Sequence, residues 1–281
     1  MSARTRRRAE TQAETHSGAG RIAHFGWLGP LALAFYAFLY SPIVVLIAYS
    51  FNDSRFAMIW QGFSLKWYAT VLENGDIQTA ALNSLVVATA ATAISVSIAT
   101  VAALALARGG AFRGKTLSMG LIALPIVVPE IVTAVATLMF FSAIGLSLGL
   151  GNLIIAHTVF CIPFAFMPIR ARLQGMDETL EQAAADLYAS RWEAFRLVTL
   201  PLLAPGIFAG AVLAFVISLD DFIISLMISD AGTTTLPVYI FSMIRRGVTP
   251  EVNAVSTILF SVSLVLVSIY WLASRPKKDE A

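Results

Sequence analysis

The feature that most constrains this chain is a series of apolar runs that are too long for the core of a soluble domain. Residues 25–51 and 77–107 contain no Lys, Arg, Asp or Glu. A helix needs about 20 apolar residues to cross the hydrocarbon core of a bilayer. Composition agrees, because 13% of the 281 residues are charged, against roughly 25% in soluble domains. The pattern predicts an integral membrane protein.

The remaining apolar runs set the number of membrane spans. Between residues 116 and 169 the one charged residue is Glu130, and we expect the glycine-rich stretch 145–152 to divide this region into two helices. Residues 197–219 and 252–274 supply two more runs. These runs predict an all-α, polytopic membrane protein with six transmembrane helices, in a domain that covers residues 25–274.

The basic residues divide unevenly between the two sides that six spans imply. One side holds 15 of them: Arg4, Arg6, Arg7, Arg8, Arg21, Arg108, Arg113, Lys115, Arg170, Arg172, Arg191, Arg196, Arg275, Lys277 and Lys278. The other side holds four: Arg55, Lys66, Arg245 and Arg246. Since cytoplasmic loops carry the excess of Lys and Arg, we expect both termini in the cytoplasm. Residues 1–24 are predicted to be a disordered basic tail and residues 275–281 a short cytoplasmic tail.

Two patterns that suggest other chemistry can be set aside. Residues 109–116, GGAFRGKT, match the letters of a nucleotide-binding loop, but such a loop follows a buried strand, and this one follows a membrane span. Cys161 is the single cysteine and the three histidines are dispersed, so no metal site or cofactor is predicted. No nucleophile or acid/base cluster stands among the spans. We therefore expect neither an enzyme nor a nucleic-acid-binding protein.

The segment 177–198 is patterned as two short amphipathic helices between the fourth and fifth spans. Asp177 suits the start of the first helix, while Ser190 and Glu193 form a capping box for the second, which we expect to end near Pro201. The chain's own membrane helices or another protein must cover the apolar stripe of the first helix. That stripe, at helical spacing, consists of Leu180, Ala183, Ala184 and Leu187.

This segment resembles the signature loop of ABC-importer permeases, whose pattern is E-A-A-x-D-L-G-A-S and then, after a spacer, L-P-x-x-x-P-G-I. Residues 182–190 read QAAADLYAS and residues 200–207 read LPLLAPGI. Gln182 replaces the motif glutamate, with Glu181 one residue earlier, and Tyr188 replaces the motif glycine. The resemblance implies a loop, at about 170–200, that docks on a separate ATPase. Its implied coupling residues are Glu181, Gln182, Ala183, Ala184, Asp186, Leu187, Tyr188 and Ser190.

A second resemblance narrows the branch of that family. Residues 218–222 (SLDDF), 234–237 (TTLP) and 247–254 (GVTPEVNA) are similar to permease subunits of spermidine/putrescine importers. The resemblance implies a type I ABC importer permease of the bacterial inner membrane that takes up putrescine, spermidine or a related small cation. It also implies two copies of a cytoplasmic ATPase, a second homologous permease and an external solute-binding protein.

Two other functions remain open on the sequence. The chain can be an importer permease for another small organic solute, because the external binding protein usually selects the solute. It can also be a stand-alone secondary transporter. Against the second stand the coupling-like loop and the absence of an evident inverted repeat.

Three acids in or near the spans are candidate substrate-pathway residues: Glu130, Asp220 and Asp221. A carboxylate at mid-membrane costs about 2.5 to 3.5 kcal/mol and so needs a partner, which a cationic substrate can supply. Adjacent residues on a helix point about 100° apart, so Asp220 and Asp221 cannot face the same cavity. The pair either lines the pathway or forms a solvated cap at the outer interface. Glu130 lies either in a broken helix along the path or at its outer end.

Two local predictions concern the loop. Asp186 stands in the last turn of the first short helix, where the helix dipole disfavours a carboxylate, so we expect an arginine partner on the ATPase or in the loop itself. Tyr188 either adopts a left-handed conformation at some strain or reshapes the turn that the family builds with glycine.

Overall fold

The computed structural model describes residues 27–56, 59–247 and 249–274, so the predicted tails, 1–24 and 275–281, lie outside the described residues. A π-helical segment, Phe195–Thr199, joins two of the helices. The described residues confirm the predicted all-α class. The helices in chain order are α1 (Leu28–Ser50), α2 (Lys66–Glu73), α3 (Gly75–Arg108), α4 (Lys115–Val127), α5 (Glu130–Ala143), α6 (Leu150–Gln174), α7 (Thr179–Asp186), α8 (Arg191–Ala194), α9 (Leu200–Asp220), α10 (Ile223–Ile228), α11 (Leu236–Arg246) and α12 (Pro250–Ser274).

The predicted spans correspond to long apolar helices. Four single helices are long and apolar enough to cross a membrane, namely α1, α3, α6 and α12, and α9 makes a fifth span together with the residues before it, Arg191–Asp220. Helices α4 and α5 are each too short to cross a membrane, but together they are long and apolar enough, with a bend of 109° between them. The part of the chain that is described therefore has six spans when the bent pair is counted as one.

The bend lies in the third span, between α4 and α5. Val128 has an extended backbone, with φ −79° and ψ 133°, and Pro129 is the N-cap residue of α5. A proline ring disfavours the helical conformation of the residue before it and has no N–H to donate. Pro129 therefore interrupts the apolar run between residues 116 and 145, and the helix is broken there, as in the alternative that placed Glu130 in a broken helix.

Helices α3, α6 and α9 form the centre of the molecule and pack through small residues. Ala99, Ala103, Cys161, Ala165 and Ala214 are fully buried in their shared core. Two glycines of α9 allow the closest approach to α6: a Cβ atom at Gly206 would lie 2.6 Å from the Cβ of Arg172, and one at Gly210 would lie 2.7 Å from the Ala165 carbonyl oxygen. Small residues at such contacts let membrane helices pack tightly without a hydrophobic driving force.

The second short helix does not end near Pro201, and that expectation is wrong. Helix α8, the π-helical segment and α9 form one continuous span, with Pro201 in the first turn of α9. Proline is tolerated in the first turn of a helix, where its missing N–H is not required. The five-residue π-helical segment changes the hydrogen-bond register just before that proline. The loop is consequently joined to the membrane helix without a flexible connection.

Candidate functional site

Helix α7 ends in a hydrogen-bonded turn that carries the resemblance to the signature loop. The Tyr188 N–H donates to the Ala185 carbonyl and the Ala189 N–H donates to the Ala184 carbonyl, both at 3.0 Å. These two bonds form a Schellman motif, whose next-to-last residue is left-handed and usually glycine. Tyr188 occupies that position with φ +63°. The left-handed alternative predicted for Tyr188 is therefore the conformation found.

Side-chain hydrogen bonds to the backbone lie at the starts of both short helices. Asp177 Oδ1 accepts a hydrogen bond of 2.9 Å from the Thr179 N–H, and this backbone bond lowers the pKa of Asp177 from its ordinary value. The predicted capping box is present, since Glu193 donates its N–H to Ser190 Oγ and accepts the Ser190 N–H. Hydrogen bonds from the Ser190 side chain and backbone lower the pKa of Glu193. The turn from α7 to α8 is thus fixed locally.

Helices α7 and α8 and the turn between them form a hairpin, residues 179–194, whose outward surface exposes apolar side chains. Tyr188 is 97% exposed and Leu187 is 81% exposed, while Leu180 and Trp192 are also exposed. Gln182 and Ala183 are exposed and Ala184 is half-buried. Of the two coverings considered for the apolar stripe, the membrane helices within the described residues leave most of it exposed. The exposed stripe leaves room for another protein.

The inward surface of the hairpin is tied to the end of α3 by ion pairs. Arg108, the last residue of α3, binds Glu178 through Nη1, and its Nε lies 3.5 Å from Glu181 Oε1. The same Glu181 oxygen accepts a hydrogen bond of 3.2 Å from the Thr199 hydroxyl, at the end of the π-helical segment. A cavity of about 460 Å³ lies between the hairpin and α3, and Arg108, Glu181 and Thr199 are among its lining residues.

Asp186 lies at the other face of α7 and is exposed. The ion pairs found within the described residues do not include it. An arginine partner in its own loop is therefore not found in this part of the chain. The other predicted partner, an arginine on the ATPase, stays a prediction.

At the opposite end of α9, Asp220 opens on a cavity of about 370 Å³ between α11, α12 and the end of α9. Its carboxylate accepts a hydrogen bond of 3.3 Å from the Ser263 hydroxyl. The aromatic rings that line the cavity come from separate elements, and the rings of Phe222 and Phe241 have centroids 4.8 Å apart. The third ring is that of Phe260.

Asp221 points away from this cavity into a buried polar cluster. Its Oδ1 accepts the Ser225 N–H at 2.9 Å and lies 3.5 Å from His157 Nε2. The His157 ring is 1% exposed and also contacts the hydroxyls of Ser218, at 2.8 Å, and Ser225, at 3.1 Å. The Glu130 carboxyl group, half-buried at the start of α5, faces that of Asp221.

The structure thus separates the three predicted acids into two groups. Asp220 faces a cavity, whereas Asp221 and Glu130 belong to the cluster around His157. The described residues contain no group of three or more His, Cys, Asp and Glu side chains that could hold a metal ion.

Several residues at the hairpin and at the Asp220 cavity were not predicted. Arg108 was assigned only as a cytoplasmic charge, because nothing in its local sequence points to a loop 70 residues later. Phe222, Phe241 and Phe260 were not singled out, since the chain has 18 phenylalanines and their convergence depends on how α11 and α12 pack. The proximity of Phe222 to Asp220 in the sequence was the one available signal.

Comparisons with known proteins agree on one family. Residues 97–276 match the model of the binding-protein-dependent transport system inner membrane component. The spermidine/putrescine transport system permease protein PotC of Escherichia coli K12 is 40% identical over 258 residues, which cover 92% of this chain and 96% of PotC. The putrescine transport system permease protein PotI of the same strain is 36% identical and covers 90% of this chain and 92% of PotI.

A solved structure supports the fold independently of close sequence similarity. The structure of a bacterial ABC transporter that imports the acidic polysaccharide alginate aligns with a TM-score of 0.66 at 17% identity. The alignment covers 90% of this chain and 96% of that chain.

Proposed function

Because the chain belongs to the family of binding-protein-dependent transport system inner membrane components, we propose that it imports a polyamine, putrescine or spermidine, or a related small organic cation. The chain is a permease subunit of an ABC importer in the inner membrane and is not itself an enzyme, since ATP hydrolysis belongs to a separate subunit in these systems. The names of PotC and PotI support the choice of substrate. An importer permease for another small organic solute is the alternative.

The charge distribution supports an orientation for this transporter. The alternation of six spans assigns fifteen basic residues of the sequence to the side of the α7–α8 hairpin, so we place that side in the cytoplasm. Asp220 then lies toward the outer face. A solute delivered by an external binding protein meets the Asp220 cavity before it reaches the cytoplasmic end.

The single observation that carries the choice of a cation is the composition of the Asp220 cavity. A carboxylate, the hydroxyls of Ser256 and Ser263 and three phenylalanine rings line the same space. An alkylammonium group is attracted to aromatic faces and pairs with a carboxylate, while its methylene chain contacts apolar surface. These are the interactions that can replace the hydration of a polyamine nitrogen near a membrane.

Of the candidate pathway acids, we assign direct contact with the solute to Asp220. Asp221 accepts the Ser225 N–H at the break between α9 and α10, and Glu130 stands beside it at the start of α5. Their contribution to transport is then positional. The adjacent acids therefore have separate roles, as their directions on the helix require.

The exposed hairpin surface supports the second half of the proposal, docking of an ATPase. Leu187, Tyr188 and Trp192 present apolar area that the described residues of this chain do not cover. Two ATPase copies, a second homologous permease and an external binding protein complete the assembly. Asp186, exposed and without an ion pair within the described chain, is the carboxylate that we expect to meet an arginine of the ATPase.

Uptake by the assembled importer in lipid vesicles tests the substrate assignment. Asp220→Asn should lower putrescine uptake by about tenfold or more, because an unpaired ammonium group loses its counter-charge at a cost above 1.4 kcal/mol. Glu73→Gln is the matched control, since Glu73 is an exposed acid on the same side of the membrane. Equal uptake in the two variants contradicts the assignment of Asp220.

A second measurement separates transport from assembly. Hydrolysis of ATP stimulated by the loaded binding protein should survive in Asp220→Asn, because the hairpin lies at the other membrane face. Asp186→Asn should instead weaken retention of the ATPase on the purified permease, by a few-fold, and leave membrane insertion unchanged. Unaltered ATPase retention in Asp186→Asn removes the proposed arginine contact.

A further inference from the structure

We infer that Arg108 is a positioning residue that joins the coupling hairpin to α3, so that movement of the hairpin reaches all three central helices. The inference rests on the proposed docking of the ATPase at the hairpin. It goes beyond that proposal, because Arg108 lies on a membrane helix outside the segment 177–198 and contacts the hairpin from the inside.

Chain connectivity joins the hairpin to only two of the three central helices. It follows α6 after Gln174, and it continues through the π-helical segment into α9. Helix α3 ends at Arg108, 71 residues before the start of α7 at Thr179. A connection to α3 must therefore be made by side chains.

Apolar packing does not make that connection. The space between the hairpin and the end of α3 is the cavity of about 460 Å³, lined by Leu104, Arg108, Glu181 and Thr199, among others. The Arg108 guanidinium reaches Glu178 and Glu181 at its edge. Because no close-packed surface transmits force across a cavity, the ion pairs are the structural link between these elements.

The positions of Arg108 and Glu181 in their helices favour this ion pair. Arg108 is in the last turn of α3, where the dipole of the helix favours a cation, and Glu181 is in the first turn of α7, where it favours an anion. The Arg108 side chain is 20% exposed and that of Glu181 is 28% exposed, so water screens this pair less than a fully exposed one. The planar guanidinium can bind two carboxylates at once, which an ammonium group does with poorer geometry.

Glu181 also connects the link to α9. The oxygen that faces Arg108 accepts the Thr199 hydroxyl, immediately before α9 begins. One carboxylate therefore joins α7, the end of α3 and the start of α9. This arrangement gives a role to Glu181, the residue that precedes Gln182 at the motif position of the missing glutamate.

The test uses the importer isolated as an intact complex and measures both uptake and ATP hydrolysis. Arg108→Gln should lower uptake about fivefold and leave hydrolysis stimulated by the binding protein within about twofold of the unmodified complex. More ATP is then hydrolysed for each molecule of solute transported. Arg113→Gln is the matched control, since it removes one exposed basic residue from the same cytoplasmic connection. Equal effects of the two substitutions, or parallel losses of uptake and hydrolysis in Arg108→Gln, overturn the inference.

Two further variants distinguish positioning from folding. Arg108→Lys keeps the charge and should restore uptake to within about threefold. Adding Glu181→Gln to Arg108→Gln should cause no further loss, because both substitutions break the same link. An additive loss contradicts a shared link.

A structural readout keeps this inference separate from the proposed function. Spin labels at Gln182→Cys and Ala111→Cys report the distance between the hairpin and the end of α3 in the purified chain, without transport. The distance distribution should broaden in Arg108→Gln and remain narrow in Arg113→Gln. If the complex fails to transport but this broadening is seen, the proposed function fails and the link stands; an unchanged distribution overturns the link.

Discussion

The two ends of α9 use polar side chains in opposite ways. Toward the hairpin, Glu181 and Arg108 bridge a cavity, and Asp186 is exposed with no ion pair in the described chain. At the far end, Asp221 and His157 are buried, and nearby hydroxyls and a backbone N–H hold them. The hairpin end leaves an apolar surface exposed, which we propose another subunit covers, whereas the far end buries its polar groups at a break in the helix. The same helix thus joins an exposed apolar surface to a buried polar cluster.

The largest effect is expected at the far end of α9, where Asp221 is buried. Asp221→Ala removes the acceptor of the Ser225 N–H and the carboxylate beside His157, and each buried polar group left without a partner costs about 1 to 3 kcal/mol. We expect a marked loss of thermal stability, measured by the yield of monodisperse protein in detergent after heating. Asp220→Ala is the control, because its carboxylate opens on a cavity. Equal stability of the two variants contradicts the structural role of Asp221.

The next-largest effect is expected at the tight contact between α6 and α9, which lies between the two ends of α9. Gly210→Ala places a methyl group 2.7 Å from the Ala165 carbonyl oxygen, so one helix must move. Overpacking of this kind costs about 1 to 3 kcal/mol. The apparent melting temperature should fall, while Gly175→Ala, whose nearest contact is 3.6 Å, should change it much less. A tolerated alanine at position 210 would mean that the two helices are free to separate there.

A smaller effect is expected in the hairpin, at Tyr188. Tyr188→Gly relieves a left-handed conformation that costs a residue with a side chain about 1 to 2 kcal/mol. The ring is almost fully exposed, so little packing is lost in the isolated chain. Hydrogen exchange of the hairpin should slow and transport should persist. Loss of ATPase binding in Tyr188→Gly, with retention in Tyr188→Phe, would show that the ring belongs to the docking surface.

The smallest effect concerns acidification of the hairpin. Asp177 and Glu193 have pKa values below their ordinary values of 3.8 and 4.5, because hydrogen bonds stabilise their ionised forms. Their contribution to hairpin stability is complete above those ordinary values and is lost as the pH falls through the lowered values. A spin label at Ala189→Cys should keep constant mobility from pH 8 to about pH 5 and become more mobile near pH 3. Increased mobility already at pH 6 would point to another titrating group.

Much of the fold was predictable because membrane insertion is controlled by local composition. Uncharged runs located the spans, and Ser190 with Glu193 predicted a capping box that is present. A broken helix at Glu130 was one of two predicted alternatives, but the size of the bend was not predicted, since a proline in an apolar run can produce a kink or a full break and neighbouring helices decide which occurs. Pro201 was misjudged for the related reason that its effect depends on its position within a helix.

The site was predictable only where its residues are close in sequence. The hairpin residues fall within 177–198, and Asp220 and Asp221 are adjacent. By contrast, the contact of Arg108 with Glu178 spans 70 residues, and the phenylalanines around Asp220 come from three segments. Such contacts follow from helix packing, for which the apolar pattern specifies buried faces but not their partners.

The bend between α4 and α5 also limits where lipid can touch this protein. The carbonyl groups of Leu121 and Pro125 lack their usual helical donors, because the residues four positions later, Pro125 and Pro129, have no N–H. Hydrocarbon chains offer no hydrogen bonds to unpaired backbone groups. These two carbonyl groups therefore need a donor from protein or water, which lipid cannot supply, although the side chains around them are apolar.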